Sequence, residues 1–248
     1  TCQPPISPSH FSVISISFWR VPSFLAKVQR QVPMRIVAIS NQKGGVGKTT
    51  TTCNLAAGLT KKGFHVLVID LDAQGNLGFS VGADIDTCAT IYDVLKGSTK
   101  TQFAIQKKET ADIITSSILL SGIELEFTNT GREFLLKEAI GPILDNYDYI
   151  LLDTPPALGI LTINAFTAAD TIIVPMLSDI FSLQGIAQLY ETFERVKKYC
   201  NPNLTIAGIL LTKHNSRTHL SREIRGTAEL IARDLNIKLF DSTIRSNV

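Results

Sequence analysis

The segment Asn41-Gln42-Lys43-Gly44-Gly45-Val46-Gly47-Lys48-Thr49-Thr50 joins an apolar, β-branched run at residues 35–40 to a helical pattern at 49–62. Glycines at 44, 45 and 47 let the backbone curl until successive amide hydrogens point inward, and the following helix adds its positive end. An anion fits such a cradle, and the phosphates of a nucleotide fit best. Lys48 is placed to neutralise the β and γ phosphates, with the Thr49 hydroxyl as the expected Mg²⁺ ligand. Gly44, Gly45, Val46, Gly47, Lys48, Thr49 and Thr50 are therefore the expected nucleotide-binding residues. A strand, Gly-rich loop and helix in register is a strong signal, because each part supplies something the anion needs.

The same alternation runs through the rest of the chain, the pattern of βαβ units and a parallel sheet. Strands are predicted at 35–40, 65–70, 112–116, 149–153, 171–175 and 204–212, each apolar enough to be buried on both faces. Helices are predicted at 49–62, 131–146, 161–169, 183–199 and 220–235. The expected fold is α/β, a doubly wound and mostly parallel sheet, with ligand at the carboxyl ends of the strands. With 248 residues, 44% of them hydrophobic, one core is sufficient. Residues 1–33 are rich in Ser and Pro and change character at Met34, where the strand pattern begins. The expectation is a non-domain extension of translated upstream or added sequence at 1–33, and one domain at 34–248.

Other classes are disfavoured. No stretch reaches the roughly 18 uninterrupted apolar residues of a membrane span, and the nearest, 11–28, is broken by Arg20 and Pro22. Cysteines at 2, 53, 88 and 200 form neither a CxxC pair nor a disulfide framework, which points to a reducing compartment and incidental thiols. His214 and His219 have no company suggesting a metal site and are expected at the surface.

Five residues before Gly47 stands Gln42, where the common G-x-x-x-x-G-K-[ST] pattern has glycine. Lys43-Gly44-Gly45-Val46-Gly47-Lys48-Thr49 instead resembles the deviant P-loop of the ParA and MinD ATPases. That resemblance implies that Lys43 reaches across a nucleotide-sandwich dimer to phosphates bound by the other subunit and stabilises charge on the transferring phosphoryl group. Asp70-Leu71-Asp72-Ala73-Gln74-Gly75-Asn76 is close to the D-x-D-P-Q-G-N segment of ParA proteins, with Ala73 in place of Pro. It makes Asp72 the residue expected to orient the attacking water near Mg²⁺, with Asp70 finishing the strand or bonding the loop. Asp153-Thr154-Pro155-Pro156, after an apolar run, resembles the Walker B segment. A carboxylate there is costly unless paired or bound to metal through water, so Asp153 is expected to hold Mg²⁺ through water.

Within the superfamily the Asp72 segment favours the ParA branch, also called Soj. Phe181-Ser182-Leu183-Gln184-Gly185, Asn215-Ser216-Arg217-Thr218 and Ile244-Arg245-Ser246-Asn247-Val248 resemble its later segments. The resemblance implies a slow ATPase with ATP and Mg²⁺ as cofactors, ATP-dependent homodimerisation, non-specific DNA binding, a ParB-like activator and a cytoplasmic, nucleoid-associated setting. It also implies a further loop and helix beyond Val248, absent from this sequence. Charge gives a separate reason to expect DNA: residues 34–194 carry 11 basic and 18 acidic side chains, residues 195–248 carry 10 and 4. Arg217 and Arg245 are the expected phosphate contacts, with Arg222 and Arg225 nearby. Two alternatives share the loop: a MinD-like ATPase cycling on a membrane, and an iron-protein-type reductase, which the lack of cysteine between 88 and 200 disfavours.

Overall fold

The computed structural model describes residues 36–215 and 217–245. The 1–33 extension, the Met34 start and residues 246–248 lie outside the described residues, as do Arg35 of the first predicted strand and Ser216. Within the described part, six strands form one sheet: β1 (Ile36–Ile39), β2 (Val66–Asp70), β3 (Asp112–Ile114), β4 (Tyr149–Asp153), β5 (Thr171–Leu177) and β6 (Thr205–Thr212). Their order is β3-β2-β4-β1-β5-β6, and every pairing is parallel. The expected doubly wound parallel sheet is therefore the fold. The helices are α1 (Lys48–Thr60), α2 (Asn76–Ser80), α3 (Ile91–Leu95), α4 (Ile123–Glu126), α5 (Leu135–Ile140), α6 (Ile160–Ala168), α7 (Ile180–Tyr199) and α8 (His219–Asp234).

Parallel strands need crossovers, and crossovers place helices on both faces, so the middles of the strands are apolar in consecutive positions rather than in alternate ones, with polar residues at the strand ends. Alternation then sorts side chains between two cores. Ala38, Ile69, Leu152 and Val174 point to one, which includes Phe166 of α6, Leu189 of α7 and Ala228 of α8. Val37, Val68, Leu151 and Ile173 point to the other, which includes Leu55, Ala56 and Leu59 of α1. The chain leaves central β1 for β2 and β3 on one side, inserts β4 between β2 and β1, then crosses to β5 and β6. The crevice where direction reverses lies at the carboxyl ends of β1, β2 and β4, where ligands of such sheets bind.

Two predicted boundaries shift for local reasons. Residues 131–146 were expected as one helix; the structure has 3₁₀ turns at Arg132–Phe134 and Gly141–Asn146 flanking α5. Pro142 lacks an amide hydrogen and clashes with the preceding turn, so the α-helix cannot continue through it. β5 instead runs on past Pro175, because its pairing with β1 ends at Ile173 and no partner on that side needs the missing hydrogen.

Edge strand β6 is covered by the segment after α8, whose Lys238 carbonyl accepts from Ile209 and whose Phe240 amide donates to Ile209. A bulge brings Gly208, rather than Ala207, opposite Ile173. Gly208 has φ 154°, and a Cβ there would lie 2.6 Å from the Lys238 carbonyl oxygen and 3.2 Å from the Phe240 ring. Gly208→Ala should cost about 2 kcal/mol or more in urea denaturation; a midpoint equal to the parent's would contradict the close approach.

Candidate functional site

The loop after β1 is held from several sides. Ser40 donates its amide to Ile173 (3.1 Å). Buried Asn41 donates through Nδ2 to the Pro175 carbonyl (2.7 Å), and its Oδ1 accepts from the Lys43 amide (2.9 Å). On β6, Thr212 Oγ1 donates to the Val46 carbonyl (2.7 Å) and to that of Met176 (3.2 Å). Gly45 (φ 70°) and Gly47 (φ 85°) take the left-handed conformation that the inward curl requires, and Gly47 caps α1. Thr49 and Thr50 follow Lys48 in the first turn of the helix, Thr50 exposed and Thr49 partly buried. The space over Gly44 and Gly45 is open, with nothing within 4 Å of a Cβ built on either.

Lys48 folds back over this loop. Its ammonium donates to the carbonyls of Asn41 and Lys43, both at 3.1 Å, and the residue is only 7% exposed. Burial pulls its pKa down, while the negative charges of Asp153 and Asp72 push it up. The site thus holds a cation short of solvent, with carboxylates beneath it.

Those carboxylates are placed by register. Asp70 ends β2 and Asp153 ends β4, directly opposite each other in adjacent strands. Asp70 accepts from the amides of Asp72 (3.0 Å), Leu77 (3.1 Å) and Gly78 (3.4 Å), so it organises the loop into α2. Asp72 stands partly exposed at the start of that loop, its carbonyl accepting from Ser116 Oγ (2.6 Å) and its Oδ1 from the Gln74 amide (3.1 Å). Asp153 is 1% exposed; Thr52 Oγ1 lies 3.4 Å from its Oδ1, and among the described residues its Oδ2 has no hydrogen-bond partner. A buried carboxylate oxygen without a donor is costly, and a hydrated cation is the ligand that removes the cost. The residues present fit Mg²⁺ held by the Thr49 hydroxyl, by phosphate oxygens and by water on Asp153. Among the described residues, no group of three His, Cys, Asp or Glu could hold a metal by itself.

Burial, together with the Asp153 charge, raises the Asp70 pKa to about 7 against backbone hydrogen bonds that lower it. Burial raises that of Asp153 to about 6, opposed by the Thr49 hydroxyl and the Lys48 charge. Both folded values exceed the unfolded 3.8, so the native state holds protons that the unfolded chain has lost. The stabilisation from this difference is complete below the unfolded value and lost as pH rises through the folded ones. Metal- and nucleotide-free protein should therefore melt at a lower temperature at about pH 8 than at about pH 5.5. A midpoint that climbs across this window would contradict the burial of the two carboxyls.

Lys43 is only partly buried, and its ammonium grips both carboxylate oxygens of Asp179 in its own chain, at 2.8 and 2.7 Å. The resemblance implies a reach into another subunit, and in the single chain the nearest carboxylate takes the charge instead. At the far edge, Arg245 pairs beside His214 in a short parallel bridge, and Arg217 follows three residues after His214. Both arginines are exposed. Arg222 is exposed on α8, whereas Arg225 is partly buried and pairs with Glu229 at 3.0 Å. Thr212, the last residue of β6 and five positions before Arg217, is the residue of this edge that touches the loop, through the Val46 carbonyl.

His214 corrects a sequence expectation. It is 6% exposed rather than a surface residue, hydrogen-bonded to Ser178 Oγ at 2.9 Å through Nδ1, and its pKa is lowered by burial and by the Arg225 charge. Its amide donates to the Ile244 carbonyl (2.9 Å), a pairing that the local sequence does not reveal. His219 is exposed, as expected, and pairs with Glu223 at 3.2 Å. Cys53, Cys88 and Cys200 are free and partly buried, and Cys2 lies outside the described residues. Of the Phe181–Gly185 resemblance segment, the side chains of 181–184 lie outside the described residues. Asn41, Asp179 and Thr212 belong to the site without having been singled out; Asn41 alone gave a signal, as a polar residue between an apolar strand and the glycines.

Comparison with known proteins agrees with this geometry. Residues 34–206 match the AAA domain family. The sporulation initiation inhibitor protein Soj of Bacillus subtilis is 41% identical over 220 residues, covering 86% of this chain and 85% of that one. The chromosome partitioning protein ParA of Caulobacter vibrioides is 41% identical over 222 residues, covering 87% and 82%. Among solved structures, a cobyrinic acid a,c-diamide synthase from Mycobacterium smegmatis with bound ADP and magnesium superposes with a TM-score of 0.81 at 35% identity, covering 86% and 87%. A shared fold carries no activity by itself, but identity of this extent with both Soj and ParA does fix the lineage: the chain belongs to the ParA/Soj family of P-loop ATPases.

Proposed function

We propose that the protein is an ATP-dependent dimerising switch for partitioning plasmid or chromosomal DNA. In this reading it binds ATP and Mg²⁺, dimerises, grips DNA without sequence preference, and lets go when a ParB-like partner speeds a slow hydrolysis. The observation that carries the reading is the convergence of Lys48, Asp72 and Asp153 on one glycine-lined loop, with an unpartnered Asp153 oxygen beneath it. Family membership and the ADP and magnesium in the M. smegmatis neighbour support the choice of ligand.

In this mechanism the amides from Gly44 to Thr50 surround the phosphates, and Lys48 leaves the carbonyls of Asn41 and Lys43 for the β and γ oxygens. Thr49 and, through water, Asp153 and Asp72 would hold Mg²⁺, which would neutralise charge on the phosphates when bound. Asp72, partly exposed at the loop, orients the attacking water. Lys43 serves the partner's nucleotide, adding positive charge where it develops in the transition state. Arg217 and Arg245 present their guanidinium groups to DNA phosphates, contacts that carry no base information. Two copies of such a surface in one dimer bind as linked events, which is how nucleotide state would control DNA affinity.

The direct test of the trans role is a mixture of Lys43→Ala and Lys48→Ala chains. Activity should follow the hybrid in which one subunit supplies Lys43 and the other Lys48, at about half the parental rate or less per chain. Additive behaviour of the two homodimers, with no gain on mixing, would contradict action across the interface.

A further inference from the structure

We propose that Asp179 is a counter-ion in the same chain that holds Lys43 back from a partner subunit and so sets the nucleotide threshold for dimerisation. The inference rests on the reading that Lys43 acts across the dimer.

Both ends of the pair stand on fixed backbone. Lys43 is tied through its amide to Asn41 Oδ1 (2.9 Å) and through its carbonyl to the Lys48 ammonium (3.1 Å). Asp179 follows β5 by two residues, and β5 is fastened to the loop by Asn41 Nδ2 on the Pro175 carbonyl (2.7 Å). Between them the Lys43 ammonium takes both oxygens of Asp179, at 2.8 and 2.7 Å. One ammonium cannot keep this two-oxygen contact and also engage a phosphate bound to another subunit. Dimerisation therefore breaks the pair, twice for every symmetric dimer.

The same contacts couple the pair to nucleotide in its own subunit. Lys48 holds the Lys43 carbonyl, and a phosphate that draws the Lys48 ammonium away removes that hold. Nucleotide binding thereby frees the Lys43 backbone before the side chain must cross. The side chains of Lys43 and Asp179 are 31% and 35% exposed, so water and salt screen the attraction and each pair is worth only about threefold in an equilibrium constant. Breaking two in one step squares this to about tenfold in the dimerisation constant.

The experiment is sedimentation equilibrium of the full chain with a non-hydrolysable ATP analogue and Mg²⁺. The parent, Asp179→Asn, Asp179→Glu, Lys43→Ala and the Lys43→Ala/Asp179→Asn double variant are compared, each first confirmed folded by its thermal transition. Asp179→Asn should dimerise about tenfold more tightly than the parent, the gain shrinking as salt is raised, and Asp179→Glu should stay near the parent. If Asp179→Asn is not folded, Asp179→Ser replaces it with the same expectation. Dimerisation of the neutral variant at or below the parental strength overturns the proposal, as does a gain from Asp179→Asn that persists when Lys43 is already alanine. A separate failure identifies the underlying reading: if Lys43→Ala dimerises like the parent, the action of Lys43 across the interface is wrong, whatever Asp179 does.

Discussion

Lys48→Ala should abolish nucleotide binding. The ammonium is the cation directed at the loop, and two charge-assisted bonds to phosphate contribute about 3 kcal/mol or more, so affinity should fall at least about a hundredfold. The substitution also uncovers the Asn41 and Lys43 carbonyls, which the ammonium now caps at 3.1 Å. Modest destabilisation is therefore expected, and the titration should be run well below the melting transition. Calorimetric binding of ATP with near-parental affinity would contradict the phosphate assignment.

Asp72→Ala should do the opposite to the cycle. Its carboxylate is not among the groups that shape the glycine loop, and the neighbouring turn is organised mainly by Asp70, which accepts from the Asp72, Leu77 and Gly78 amides. ATP and Mg²⁺ should still bind, while turnover falls about a hundredfold or more because the attacking water loses its orienting base. The variant should accumulate as an ATP-bound dimer on size exclusion. Turnover at the parental rate would remove Asp72 from the mechanism.

The contrast between these two variants follows from features of unequal visibility in the sequence. β4 was legible to the residue, Tyr149–Asp153, because a continuous apolar run closes on a carboxylate that only a ligand or a partner makes tolerable there. α1 was legible because glycines and a lysine precede it. α2, α3 and α4 were not anticipated, since four or five residues give no helical period to detect. α3 did carry a local signal in its capping box, where Thr90 and Asp93 bond each other's backbone. Contacts between distant residues were the least visible. Nothing near Lys43 points to Asp179, 136 positions away, and nothing near His214 announces its pairing with the Ile244 carbonyl. Such pairings are decided by strand order, which sets β5 beside β1 and β6 beyond β5.

Control of the grip on DNA by nucleotide state is read out by fluorescence anisotropy on two unrelated duplexes, with ATP and with ADP across a salt series. Binding should be tight with ATP to both duplexes alike and weak with ADP, with a log–log salt slope of about −0.9 per phosphate contact and a uniform loss in Arg217→Glu. Equal binding with ADP, or strong binding to one duplex alone, would contradict this reading.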